Sequence, residues 1–96
     1  MSIHVVARLT ARPETVAALH TLLLSLLEPT RQESGCLRYG LLQNAVDPAD
    51  FTFIEEWADE AALDAHFTTL HLQAVLAQAP SLLAVEPDIR RYTMIG

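Results

Sequence analysis

Apolar and polar residues alternate along residues 3–10, IHVVARLT. Ile3, Val5, Ala7 and Leu9 fall on one side, and His4, Val6, Arg8 and Thr10 on the other. A period of two predicts a strand with one apolar face. The period then lengthens. Between residues 13 and 34, Val16, Leu19, Leu23, Leu26, Leu27 and Thr30 recur at steps of three and four, which predicts one long helix with a single apolar stripe. Pro13 suits its first position and Glu14 the positive end of its dipole. Pro29 predicts a kink or an early end to the regular part, and Gly35 a C-terminal cap that takes positive φ without penalty.

Residues 36–44, CLRYGLLQN, predict a second strand, and Asp47-Pro48 a turn. Residues 51–58, FTFIEEWA, predict a third strand, paired with the second as a hairpin. Asp59 ends it and caps a helix over 60–67 through its carboxylate. Thr68 or Thr69 caps a further helix to about Gln78, which Pro80 ends. Residues 88–95, DIRRYTMI, predict the last strand. The order β-α-β-β-α-β is the ferredoxin-like pattern, an α+β fold with an antiparallel sheet covered by helices on one side, here one domain over residues 1–96. In the third and fourth strands neither face reads as cleanly polar.

Composition sharpens this picture. Half of the residues (51%) are hydrophobic in a chain of only 96, more than so small an interior holds. The excess predicts a homodimer in which a second chain covers the free face of the sheet. The net charge is −6 with six Arg and Lys and no basic run, which argues against a nucleic-acid partner. No apolar run is long enough to span a bilayer and no signal-peptide pattern is present, so no membrane association and a cytoplasmic location are expected. Cys36 is alone, so it forms no internal disulfide, and it reads as a small buried hydrophobe.

The candidate chemistry is concentrated in residues 51–71, FTFIEEWADEAALDAHFTTLH. Phe53, Glu55 and Trp57 share one face of the third strand. A carboxylate between two large rings loses solvent, which raises its pKa and suits it to proton transfer. The competing reading pairs Glu55 with Arg8, Arg38 or Arg91 as a structural ion pair, and it is the favoured one. His66 follows Ala62 and Leu63 by four and three residues and so sits on the apolar side of its helix. His71 comes five residues later, past a break, so the two do not form the i, i+4 metal pair of one continuous helix, and no metal site is expected. Tyr39 and Tyr92 are strand residues able to donate a phenolic hydrogen bond, and Arg31 with Glu33 reads as solvated helix surface.

Several short pieces combine in order and at matching spacing. They are Gly35-Cys36 with Tyr39, the triplet Glu55-Glu56-Trp57, the helix start Asp59-Glu60-Ala61-Ala62-Leu63, and His66 with His71. Together they closely resemble the antibiotic biosynthesis monooxygenase domain family over nearly the whole chain. The resemblance implies a dimeric α+β barrel, in which two ferredoxin-like sheets pack face to face. It implies a small aromatic substrate, a phenol or hydroquinone, oxidised by O2 with no metal and no flavin. By resemblance Trp57 matches the family's pocket tryptophan; on that reading Trp57, Phe53 and Phe67 supply the walls and His66, His71 or Tyr39 handles the phenolic proton, with Trp57 and His66 expected as the catalytic groups and Tyr39, Phe53, Phe67 and His71 as substrate-binding ones. Haem-degrading members carry an Asn on the first strand and an axial His in a later helix. Arg8 and Leu76 occupy the comparable positions here, which argues against haem. An isomerase of a phosphorylated sugar and a non-catalytic ligand-binding dimer are the alternative readings.

Overall fold

The computed structural model describes residues 1–96. Its elements are β1 (Ile3–Thr10), α1 (Val16–Leu24), α2 (Leu27–Arg31), β2 (Cys36–Gln43), β3 (Asp50–Trp57), α3 (Glu60–His66), α4 (Leu70–Gln78) and β4 (Asp88–Tyr92). The sheet order is β2-β3-β1-β4, with every neighbouring pair antiparallel. This is the ferredoxin-like α+β architecture, with the helices on one face of the sheet.

The long helix expected over 13–34 is divided. A single 3-10 turn occupies Pro13–Thr15, and the α-helical part breaks at Ser25–Leu26. Pro29 explains the break. It has no N–H to give the Ser25 carbonyl, and its ring crowds that carbonyl. The last strand ends at Tyr92 rather than Ile95, and residues 93–96 carry no regular structure.

β3 is cleaner than its sequence suggests. Phe51, Phe53, Glu55 and Trp57 are all buried against the helices, while Thr52, Ile54 and Glu56 are half-buried on the other side. Val5, Ala7 and Leu9 of β1 face the same core, which Leu19, Leu23, Leu63, Leu72 and Val75 close from the helices. The opposite face of the sheet is open in the single chain. Register places Val6 beside Ile54 and Arg90, and His4 beside Tyr92. Val6, Leu42 and Tyr92 stand exposed.

Gly35 positions the site. Its φ is +85°, and a Cβ built there lies 2.6 Å from the Ala62 side chain of α3. The Gly35 carbonyl accepts from Ala58 N–H at 2.8 Å, so the turn after α2 is pinned against the start of α3. Gly35→Ala is expected to cost about 2 kcal/mol in urea unfolding, from left-handed backbone strain plus the contact with Ala62. Unchanged stability in that variant would show that the turn relaxes freely.

Candidate active site

Four elements and one turn deliver polar groups to the same end of the core. α3 is capped by Asp59, whose carboxylate accepts from Ala62 N–H at 2.8 Å, and it ends at His66. Thr69 caps α4 and also donates its hydroxyl to the His66 carbonyl at 2.8 Å, which sets His71 in the first turn of α4 close to His66. The turn held by Gly35 carries Glu33 in beneath both rings. Glu33 Oε2 lies 2.7 Å from His66 Nδ1 and 2.7 Å from His71 Nε2. β2 and β3 bring Tyr39, Glu55 and Trp57, and Trp57 Nε1 donates to Glu55 Oε1 at 2.9 Å.

His66 is 3% exposed and packed among rings, with Trp57 at 4.6 Å, Phe67 at 5.6 Å and Tyr39 at 5.7 Å between centroids. Burial pushes the His66 pKa down, and the Glu33 carboxylate opposes that shift only in part. The ring is therefore neutral near pH 7. Burial pushes Glu55 up to about 7; the charge of Glu33 adds to this, and the Trp57 N–H opposes it. Burial and the nearby Glu55 carboxylate also raise the Tyr39 phenol. The expected ion pair of Glu55 with an arginine is absent. Arg8 instead holds Asp50 through two bonds of 2.8 and 3.1 Å, and Arg91 reaches Asp64.

An apolar cavity of about 40 Å³ sits between sheet and helices. Tyr39, Phe53, Glu55, His66 and Phe67 line it. Trp57 does not. It is fully buried behind His66 and supports that ring rather than forming a wall. His71 is likewise outside the lining and meets the site through Glu33. An apolar cavity of about 150 Å³ accepts one benzene ring; this one has roughly a quarter of that volume, too little for an aromatic substrate as it stands. An open groove of about 710 Å³ adjoins it along Leu76, Pro87 and Ile89, the residues common to both. That groove is the open approach to the cavity.

The Glu33, His66 and His71 donors all lie within 4.8 Å of one another. Their geometry is that of hydrogen bonds. Neighbouring ligands on a tetrahedral ion with bonds near 2.05 Å stand about 3.3 Å apart, whereas the two N···O separations here are 2.7 Å. An ion would have to displace both bridging protons and spread the three groups.

Sequence reasoning missed Glu33. Its neighbours Arg31, Gln32 and Ser34 are all polar, so no periodicity marks it as buried. The available signal was the glycine two residues later, which turns the chain back toward α3.

Residues 2–78 match the family model described as antibiotic biosynthesis monooxygenase, and the chain belongs to that family. It is 31% identical over 88 residues to an uncharacterised protein of Synechocystis, a match covering 92% of this chain but only 60% of that one. A Mycobacterium tuberculosis protein with a provisional monooxygenase name is 37% identical over 79 residues, covering 82% of this chain and 77% of that one. A crystal structure described as an antibiotic biosynthesis monooxygenase superposes with a TM-score of 0.92 at 33% identity, covering 98% of this chain and 99% of that one. No helix is long and apolar enough to cross a membrane.

Proposed function

We propose that the protein is a cofactor-independent monooxygenase that oxidises a small phenol or hydroquinone with O2. The observation that carries this reading is the buried His66 at the wall of an apolar, ring-lined cavity. His66 Nε2 takes the phenolic proton, and the O–H electron pair stays on the substrate as phenolate. The phenolate gives one electron to O2, and the two radicals join as a C–O bond forms on the ring. Protonation gives a hydroperoxide. Loss of the ring C–H proton and of the distal oxygen as water leaves a carbonyl. One oxygen atom enters the product, the other enters water, and all the electrons come from the substrate.

The protein's tasks are to take a proton, to hold the ring flat between Phe53 and Phe67, and to keep water from the intermediate. Leu76 stands at the mouth and Arg8 on the far side of the sheet, so neither offers what haem degradation requires. A phosphorylated sugar fits less well, because no arginine lines the cavity and the chain has no lysine. The exposed sheet face with Val6, Leu42 and Tyr92 supports a homodimer formed through it. Light scattering at micromolar concentration is expected to give twice the chain mass, and a monomer mass would refute the dimer.

The functional test is oxygen uptake, in the presence of chelator, across a panel of hydroquinones and polycyclic phenols. Uptake above the uncatalysed rate, unaffected by chelator, is expected with at least one ring size. Trp57→Phe should retain a fraction of that rate, since phenyl keeps the support under His66 but gives Glu55 no donor. Saturable binding of a phenol without uptake would favour a ligand-binding dimer instead.

A further inference from the structure

Glu33 lies outside the cavity, yet one of its oxygens holds two imidazoles. Both contacts are 2.7 Å, and the side chain is only 12% exposed. An ionised carboxylate only accepts hydrogen bonds, so each ring must present an N–H to it. For a neutral His66 this places the proton on Nδ1 and leaves the lone pair on Nε2. Nε2 makes no hydrogen bond within the protein, and its ring lines the cavity. The His71 N–H reaches the same oxygen from the opposite element and holds it in place.

We infer that Glu33 is the positioning residue of this site, fixing His66 in the tautomer whose free Nε2 faces substrate, with His71 as the second donor that anchors Glu33. This rests on the reading of His66 as proton acceptor. When the phenolic O–H breaks, its proton goes to Nε2 and the electron pair stays on the substrate oxygen. The imidazolium that results keeps its Nδ1–H against the Glu33 carboxylate, which stabilises the new charge in a poorly solvated place. A carboxylate serving only to join α3 to the preceding turn could be replaced by an amide with kcat and the acid limb unmoved. The charged and titratable groups facing His66 are Glu33 and His71 on that side and Glu55 and Tyr39 across the cavity. Arg31 and Cys36 flank the turn that carries Glu33.

Nitrogen-15 spectra of histidine-labelled protein at pH 8 test the geometry without any substrate. The wild type is expected to show His66 protonated at Nδ1 and bare at Nε2, and a ring protonated at Nε2 overturns the inference whatever the variants do. In Glu33→Gln the amide can donate as well as accept, so His66 should become a mixture of tautomers. The same variant should lose about tenfold to a hundredfold in kcat for the best phenol, with KM within about twofold. The acid limb of its kcat/KM profile should move to lower pH, because the carboxylate that favours the imidazolium is gone. Glu33→Asp should recover part of the rate. An unchanged tautomer and an unchanged acid limb in folded Glu33→Gln would reduce Glu33 to a structural tie. If the spectra behave as expected and no phenol is oxidised by wild type, the oxygenase reading fails while the tautomer assignment stands.

Discussion

His66→Ala is expected to lower kcat for the best phenol by about 10²- to 10⁴-fold, the range supplied by a positioned general base. The ring is the one imidazole in the cavity lining, and Glu33 occupies its Nδ1. Removing it leaves Glu55 as the remaining ionisable acceptor in the lining, apart from the Tyr39 phenol, and burial keeps Glu55 about half protonated at pH 7. KM should change little, because Phe53 and Phe67 remain. The space vacated by the ring permits a decisive control, since added imidazole should restore part of the rate in the variant and none in wild type. The pH dependence follows from the same burial. Activity requires neutral His66, whose pKa is lowered, so kcat/KM should rise with pH on an acid limb below the ordinary histidine value of 6.5. A His66→Ala protein as fast as wild type would remove His66 from the chemistry.

Glu55→Gln is expected to stabilise the protein by about 3 kcal/mol at pH 8 and by almost nothing at pH 4. The unfolded carboxyl titrates near 4.5 and the folded one near 7. Below 4.5 both states are protonated, and wild type has its full share of stability from this residue. Between 4.5 and 7 the folded state holds a proton that the unfolded state has released, so stability falls as pH rises, and above 7 the loss is complete. Glutamine carries no such proton, and its side-chain oxygen still accepts from Trp57 Nε1. Urea unfolding of both proteins at the two pH values isolates the effect, because the opposite titration of buried His66 is common to both. A gap that does not widen with pH would mean that Glu55 is ionised in the folded protein through a partner other than Trp57.

The fold was legible from its periodicities. The alternation in β1, the helical stripe from Val16 to Thr30 and the turn at Asp47-Pro48 each mark an element found in the structure. The helix break needed the consequence of Pro29 carried four residues back to Ser25, which local pattern alone does not do. The site was legible only in part. Tyr39, Phe53, His66 and Phe67 are brought together on one cavity, and all four sit at apolar-face positions that pattern reading can identify. Glu33 was invisible because its burial comes from a tertiary contact, made when Gly35 folds its turn against Ala62. His71, expected to bind substrate, instead meets Glu33 and lies outside the cavity lining. Five residues and a helix break separate it from His66, yet the Thr69 cap refolds the chain so that the rings lie 6.3 Å apart. Trp57 illustrates the opposite error. A lone large ring beside candidate chemistry suggests a pocket wall, but its register on β3 buries it one layer behind.

The most direct measurement is turnover of the best phenol under ¹⁸O2, with chelator present and the product reduced at once so that its new oxygen cannot exchange with water. The account predicts one labelled oxygen in the product and one in water, with no loss of rate in chelator. A product carrying no label, or oxidation that proceeds equally well without O2, would contradict it.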